Sequence, residues 1–397
     1  MMKKMTTCFF IVFYVLNCHR SNLNSETNQS QIFGAIFNDV YAINLNKVLV
    51  SLSENSILPA YIDLEKETEE LYKQAANYQQ SSTLANLNSV RTQWQKAKSS
   101  VKRIEVLGFG PAVLPLDYLV NIDYYPRFAL DTTKLETEEL SALNTHAITI
   151  TRVNGYGVIK RGFSAAEYLL FNNGNGISDP TSVNVSHLSN SRRIQYLLAV
   201  CGDLKNRSFA FNQEWQPSGN NYNKDFVQGT NTFSSQKQVL DEVVNQLIFL
   251  LSLLIDTKIG EPAGLSAKSG GKVDLNKLES KWSDHSIDDI SSNMEGIKIL
   301  YFGNYKVKSG NVSYGIHNYV RAINPLLDDK MKEQLMAIDQ EITNIKSNSG
   351  TLRSSITQNP SAVSKLYYSI RNLRTTTSTE LIVTLGATVG VSSNDGD

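Results

Sequence analysis

The chain has few cysteines, few histidines and no surplus of either charge, and each shortage removes a class of function. Of 397 residues only 3 are Cys and 5 are His. Cys8, Cys18 and Cys201 form no CxxC pair and no Cys/His cluster, which excludes a structural zinc site of the finger or ribbon kind. With Cys8 in an apolar leader and Cys18 at its edge, Cys201 is left without a partner for an internal disulfide. Lys plus Arg and Asp plus Glu number 38 each, so no basic excess and no aromatic-laced basic patch points to nucleic acid. HExxH and GxSxG are absent. Gly108-Phe109-Gly110-Pro111 has no Gly-Lys-Ser/Thr after it and reads as a helix stop, not a phosphate loop. Charged residues reach only 19% against 41% hydrophobic, enough apolar material for one large helical domain or two medium ones.

What is present begins with an export signal. Lys3 and Lys4 precede an apolar run, Cys8–Leu16, that is too short to span a bilayer. Val15-Leu16-Asn17-Cys18 is similar to a bacterial lipobox, with Asn17 where Gly or Ala is usual. This layout predicts a signal peptide over 1–17 and acyl chains on Cys18, the alternatives being a cleaved soluble protein and a retained anchor. Two or more acyl chains hold a protein on a membrane where one is marginal. Residues 21–31 are polar and aperiodic, so 18–31 reads as a lipidated tether. The expected location is the cell envelope, membrane-anchored, in the periplasm or on the outer-membrane surface.

Beyond the tether, helical periods dominate. Leu84, Leu87, Val90, Trp94, Val101 and Ile104 form one stripe, with a gap partly filled by Ala97. Met331, Leu335, Ile338, Ile342 and Ile345 repeat at bundle spacing, and Val363, Leu366, Tyr367, Ile370 and Leu373 give another stripe. The apolar run Leu247–Ile255 predicts a helix buried on most sides. Strand signals are thin. Ala147–Val153 alternates and predicts either a short strand or an extended linker before a helix; the tail Leu381–Val391 is β-branched and broken by glycine. Gln216–Thr232 is loop-like, and a boundary there gives helical halves over 32–220 and 221–397, each long enough for a four-helix bundle.

Several segments in order resemble the imelysin family: Trp94–Pro111 (WQKAKSSVKRIEVLGFGP), Asn121–Pro126 (NIDYYP), Lys160–Phe171 (KRGFSAAEYLLF), Arg193–Leu204 (RIQYLLAVCGDL), Glu279–Asn293 (ESKWSDHSIDDISSN) and Leu385–Asp397 (LGATVGVSSNDGD). The resemblance covers some three quarters of the chain. It implies an all-α fold of two four-helix-bundle-like halves with a cleft near their junction. It also implies an exported protein linked to iron acquisition and sometimes described as a peptidase.

The third segment carries the chemistry. The family pattern Gly-x-His-x-x-Glu places a His and a Glu three residues apart, on one helix face, where both reach one ion. Here Ser164 stands at the His position, and a neutral hydroxyl is a poor ligand for zinc or iron. Glu167 remains, and Glu105 and Asp123 match acidic residues of the family's cleft. Convergence of Glu105, Asp123 and Glu167 would favour harder cations such as calcium, magnesium, manganese or ferric iron, or a carboxyl of raised pKa; the cofactor expected is a single metal ion, iron, calcium or zinc. The plainer reading pairs Glu167 with Arg161, Lys160 or a Tyr hydroxyl. His146, His187, His285 and His317 sit in no metal-binding pair; His285 has Asp288 three residues on. Hydrolysis by a metal needs an open coordination position, a water and a base, and the motif here is incomplete.

The expectation is therefore an imelysin-like envelope lipoprotein that binds a metal or iron-bearing ligand for uptake, without peptidase activity. Its partners would be the membrane and an iron-uptake membrane complex. The rivals are a metallopeptidase and a non-enzymatic surface scaffold or adhesion protein. The scaffold reading requires Glu105, Asp123 and Glu167 to be dispersed or paired with cations.

Overall fold

The computed structural model describes residues 45–113, 116–126, 129–172, 191–305 and 313–390; the leader, Cys18, the tether, His187 and the last seven residues of the tail lie outside them. Every regular element among the described residues is helical. Eight helices carry the fold: α1 (Leu58–Gln80), α2 (Leu84–Ile104), α3 (Gly162–Phe171), α4 (Ser191–Trp215), α5 (Gln236–Leu253), α6 (Ser286–Phe302), α7 (Pro325–Asn348) and α8 (Pro360–Thr376). Contacts group Val48–Asp397 as one compact unit.

The predicted stripes become buried faces. On α2, Leu87, Val90, Trp94, Ala97, Val101 and Ile104 are buried, whereas Leu84, in the first turn, is exposed; Thr83 caps the start by accepting from Asn86 N at 3.2 Å. α1 and α2 form a hairpin; α4 packs along α1, and α3 lies against α2 and α4. The stripes on α7 and α8 are likewise buried and face each other, and α5 packs on α8. α6 touches both groups, against α2 on one side and α7 on the other. It approaches α2 closely because residue 296 is Gly, where a Cβ would lie 2.1 Å from Arg103 O.

Pro59 lies inside a helical run, where its missing N–H and its ring disrupt the ladder. The chain answers with a π turn over Ser53–Ile57 just before α1. Ala147–Val153 resolves as the linker: Thr149 caps a short helix, Ile150–Asn154, by accepting from Arg152 N. Within the β-branched tail, Leu381 ends a π turn and Ile382–Leu385 is helical, stopping at Gly386 with φ 57°. The loop-like Gln216–Thr232 contains a short helix, Tyr222–Gln228. By composition the run Gln236–Ser269 is apolar enough to cross a membrane. Val239, Leu240, Val243, Val244, Leu247, Leu250 and Leu251 are nevertheless buried within the fold.

Candidate functional site

Gly162 opens α3 in the left-handed region, φ 76°, and a Cβ there would lie 2.7 Å from Ile122 O. The motif glycine thus lets the Asn121–Pro126 segment sit against the start of α3. Ser164 is half-buried and Glu167, one turn on, is fully buried.

Glu167 is held by none of the cations beside it in sequence. Its Oε1 accepts from Trp282 N at 3.0 Å, Ser283 N at 2.9 Å and Ser283 Oγ at 2.8 Å. Arg161 instead donates to Tyr156 O and Asn121 O, and Lys160 pairs with Glu138 and Glu139. Burial pushes the Glu167 carboxyl up to about 8, against the opposing pull of the Ser283 donors and Lys98. Near neutral pH it is therefore mostly a neutral acid.

Glu105 and Asp123 do come together, around ammonium groups. Lys102 Nζ lies 3.1 Å from Glu105 Oε2 and 2.7 Å from Asp123 Oδ2, and it also contacts Glu279 Oε1. Lys98 Nζ lies 2.7 Å from Asp123 Oδ2 and 3.2 Å from Glu279 Oε1. Lys258, in the π turn Leu254–Ile259 that follows α5, lies 2.7 Å from Glu105 Oε2 and 3.1 Å from Glu279 Oε2. Asn293 on α6 closes the ring, accepting from Lys258 Nζ at 2.8 Å and donating to Glu105 Oε2 at 2.8 Å.

The result is three ammoniums against three carboxylates, with Lys98, Lys102 and Lys258 no more than 2% exposed. Burial works against the charges of Asp123, Glu279, Lys98 and Lys102, and the partners prevail. Burial would raise Asp123, yet Lys102 and Lys98 hold it below its usual value. The same contest leaves Glu279 well below the carboxylate range, through Lys102, Lys258 and Lys98. Burial would lower Lys98 and Lys102, and Asp123 above all keeps them charged. Nearby Asp289 behaves oppositely: burial raises its carboxyl, and it accepts from Ser280 Oγ.

A metal bound through these oxygens would have to displace the lysines. Among the described residues no three His, Cys, Asp or Glu side chains are disposed to hold an ion. The residues present therefore do not fit the metal that the family motif implies. Histidine does not repair the site, since His146 pairs with Glu139, and His317 packs beside Asp328.

Sequence reasoning named Glu105, Asp123, Ser164 and Glu167 and missed Lys98, Lys102, Lys258, Glu279 and Asn293. A signal existed for two of them. Lys98 and Lys102 lie four and eight residues after Trp94, on the buried stripe, and Lys98 fills the gap left between Trp94 and Val101.

Comparisons with known proteins agree with this architecture. The family model described as imelysin (Peptidase_M75) matches residues 57–379. Iron-regulated protein A of Synechococcus elongatus is 23% identical over 320 residues, covering 78% of this chain and 80% of that protein. Among solved structures, an imelysin-like protein from Psychrobacter arcticum superposes with a TM-score of 0.67 at 20% identity, covering 88% of this chain and 98% of that one. A putative iron-regulated protein A precursor from Parabacteroides distasonis gives 0.65 at 19% identity, covering 84% and 95%.

Proposed function

Because this chain belongs to the imelysin family, we propose that it serves iron-responsive uptake at the cell envelope as a binding component rather than as a metallopeptidase. The iron link draws on the names of its relatives, iron-regulated protein A in two cases. The envelope location and the anchor at Cys18 draw on the leader and lipobox-like sequence alone.

The observation that carries the reading against a metallopeptidase is the ammonium-filled carboxylate cluster. A metallopeptidase needs a held cation with a free position and a base to activate water. In this chain Lys98, Lys102 and Lys258 already neutralise Glu105, Asp123 and Glu279, and Glu167 is spent on Trp282 and Ser283. The ligand would instead meet the open polar groove between α1 and α2, a volume of about 410 Å3. Its walls carry both signs, with Asp63 and Glu67 facing Lys96 and Arg103. That suits an iron-bearing polar chelate better than a bare ion.

A second reading, a surface scaffold that keeps only the fold, draws on the same pairing. The two separate by titration of the full chain in detergent with ferric citrate, alongside elemental analysis and an insulin-cleavage assay. Chelate binding without a resident metal supports the binding role, and absence of both supports the scaffold. One zinc or iron per chain, lost in Glu167→Ala together with peptidase activity, overturns the proposal.

A further inference from the structure

The same groove holds a constellation that the carboxylate cluster does not use. Ser99 is half-buried on α2, and its Oγ lies 3.5 Å from His285 Nε2. On the other side of the ring, His285 Nδ1 faces Asp288 Oδ2 at 3.4 Å. Ser99 and His285 both line the groove. A carboxylate opposite Nδ1 favours the tautomer with its proton on Nδ1, which leaves the Nε2 lone pair directed at Ser99. The ring is fixed in place. Trp94 packs edge-on at 5.9 Å between centroids, and only 8% of His285 is exposed. Asp288 is fixed too, because Lys346 on α7 holds its other oxygen at 2.8 Å.

We propose that Ser99, His285 and Asp288 form a nucleophilic site that takes acyl groups from small polar esters entering this groove. Ser99 is the nucleophile, His285 the base, and Asp288 a positioning residue. The arrangement is recognised by geometry and roles, and separations of this size tighten when a substrate is bound. Ser99 lies in mid-helix, where backbone N–H groups are already used, so the oxyanion must be met by side chains. Gln95, one turn before Ser99 on the same face, lines the groove with an amide donor. Arg103, one turn after, adds positive charge, although Glu295 already accepts from its Nε.

The step balances within the site. Ser99 Oγ bonds to the ester carbonyl carbon while its proton passes to His285 Nε2. The ester C–O bond then breaks, and the leaving alcohol takes that proton. Water, deprotonated by His285, releases the carboxylic acid and restores Ser99. This site is separate from the family motif and requires no metal.

The test treats the purified full chain in detergent with a fluorophosphonate probe, followed by peptide mapping, and measures the burst of p-nitrophenol from p-nitrophenyl acetate. The expected result is label on Ser99 and a burst approaching one equivalent. Ser99→Ala should abolish both, and His285→Gln should slow both at least tenfold. Asp288→Asn should lower the rate and shift its pH midpoint, with Asp288→Glu recovering part of it. Ser99→Ala changes one half-buried hydroxyl, so circular dichroism can confirm its fold. Label that survives in Ser99→Ala, or no label and no burst from folded wild-type chain, overturns the proposal.

Discussion

Replacing Lys102 by Met tests whether the buried ammoniums hold the centre of the molecule. Lys102 is 1% exposed and contacts Glu105, Asp123 and Glu279. At an effective dielectric near 20, each contact at such a distance is worth about 5 kcal/mol of gross attraction, most of it offset by desolvation. The net effect follows from what remains. Asp123 keeps Lys98, and Glu279 keeps Lys98 and Lys258, so the variant buries one surplus negative charge instead of isolating a carboxylate. Breaking a buried pair in this way costs about 3–5 kcal/mol, which in a chain of this length lowers the melting midpoint by about 4–7 °C. Lys102→Met with Glu279→Gln restores neutrality and should recover about 2 kcal/mol, a coupling that a double-mutant cycle in urea measures directly. A loss under about 1 kcal/mol in the single variant, or strict additivity in the pair, refutes the reasoning. It would mean that solvent or a bound ion, not Lys102, compensates these carboxylates.

Four further outcomes are expected. Ser164→His should not raise zinc or iron affinity in calorimetric titration, because Glu167 Oε1 is already occupied by three donors; a micromolar site would show that the motif is one residue from working. The folded chain keeps a proton on Glu167 up to about pH 8, whereas its ordinary value is 4.5, so Glu167 stabilises fully below about pH 4.5 and loses that contribution as pH rises through 8. Wild type should therefore lose up to about 1.4 kcal/mol per unit relative to Glu167→Gln across that window, and parallel pH–stability curves would count against it. Gly296→Ala should cost about 1–3 kcal/mol by forcing α6 off Arg103 O, read as a lower urea midpoint. Burial pushes the Cys201 thiol far up and leaves it inaccessible, so it should react with Ellman's reagent only on unfolding.

Much of the fold was legible because helical burial is a local, periodic property. The stripes on α2, α7 and α8 could be read at three- and four-residue spacing, and they are buried as read except at Leu84, the first residue of α2, which is exposed. The segment Ala147–Val153 left strand and linker open, since alternation over so few residues does not distinguish them; the Thr149 cap decided for a helix at Ile150. The site was legible only in part. Glu105 and Asp123 were found through the motif order, and they do meet. Their cations were not found. A lysine on an apolar stripe either reaches out to water along its flexible stem or stays inside if enough charge awaits it, and spacing cannot say which.

Sequence by itself determined the family, the all-helical class, the loss of the motif histidine at Ser164 and the glycine that opens α3. Tertiary structure alone decided what compensates the acids. Lys98 meets Glu279 across a sequence separation of 181 residues, and Lys258 meets Glu105 across 153. Charge compensation depends on distance in space and on the exclusion of water. Both arise only when α6 closes over α2 and the turn after α5 brings Lys258 inward, so no local pattern encodes them.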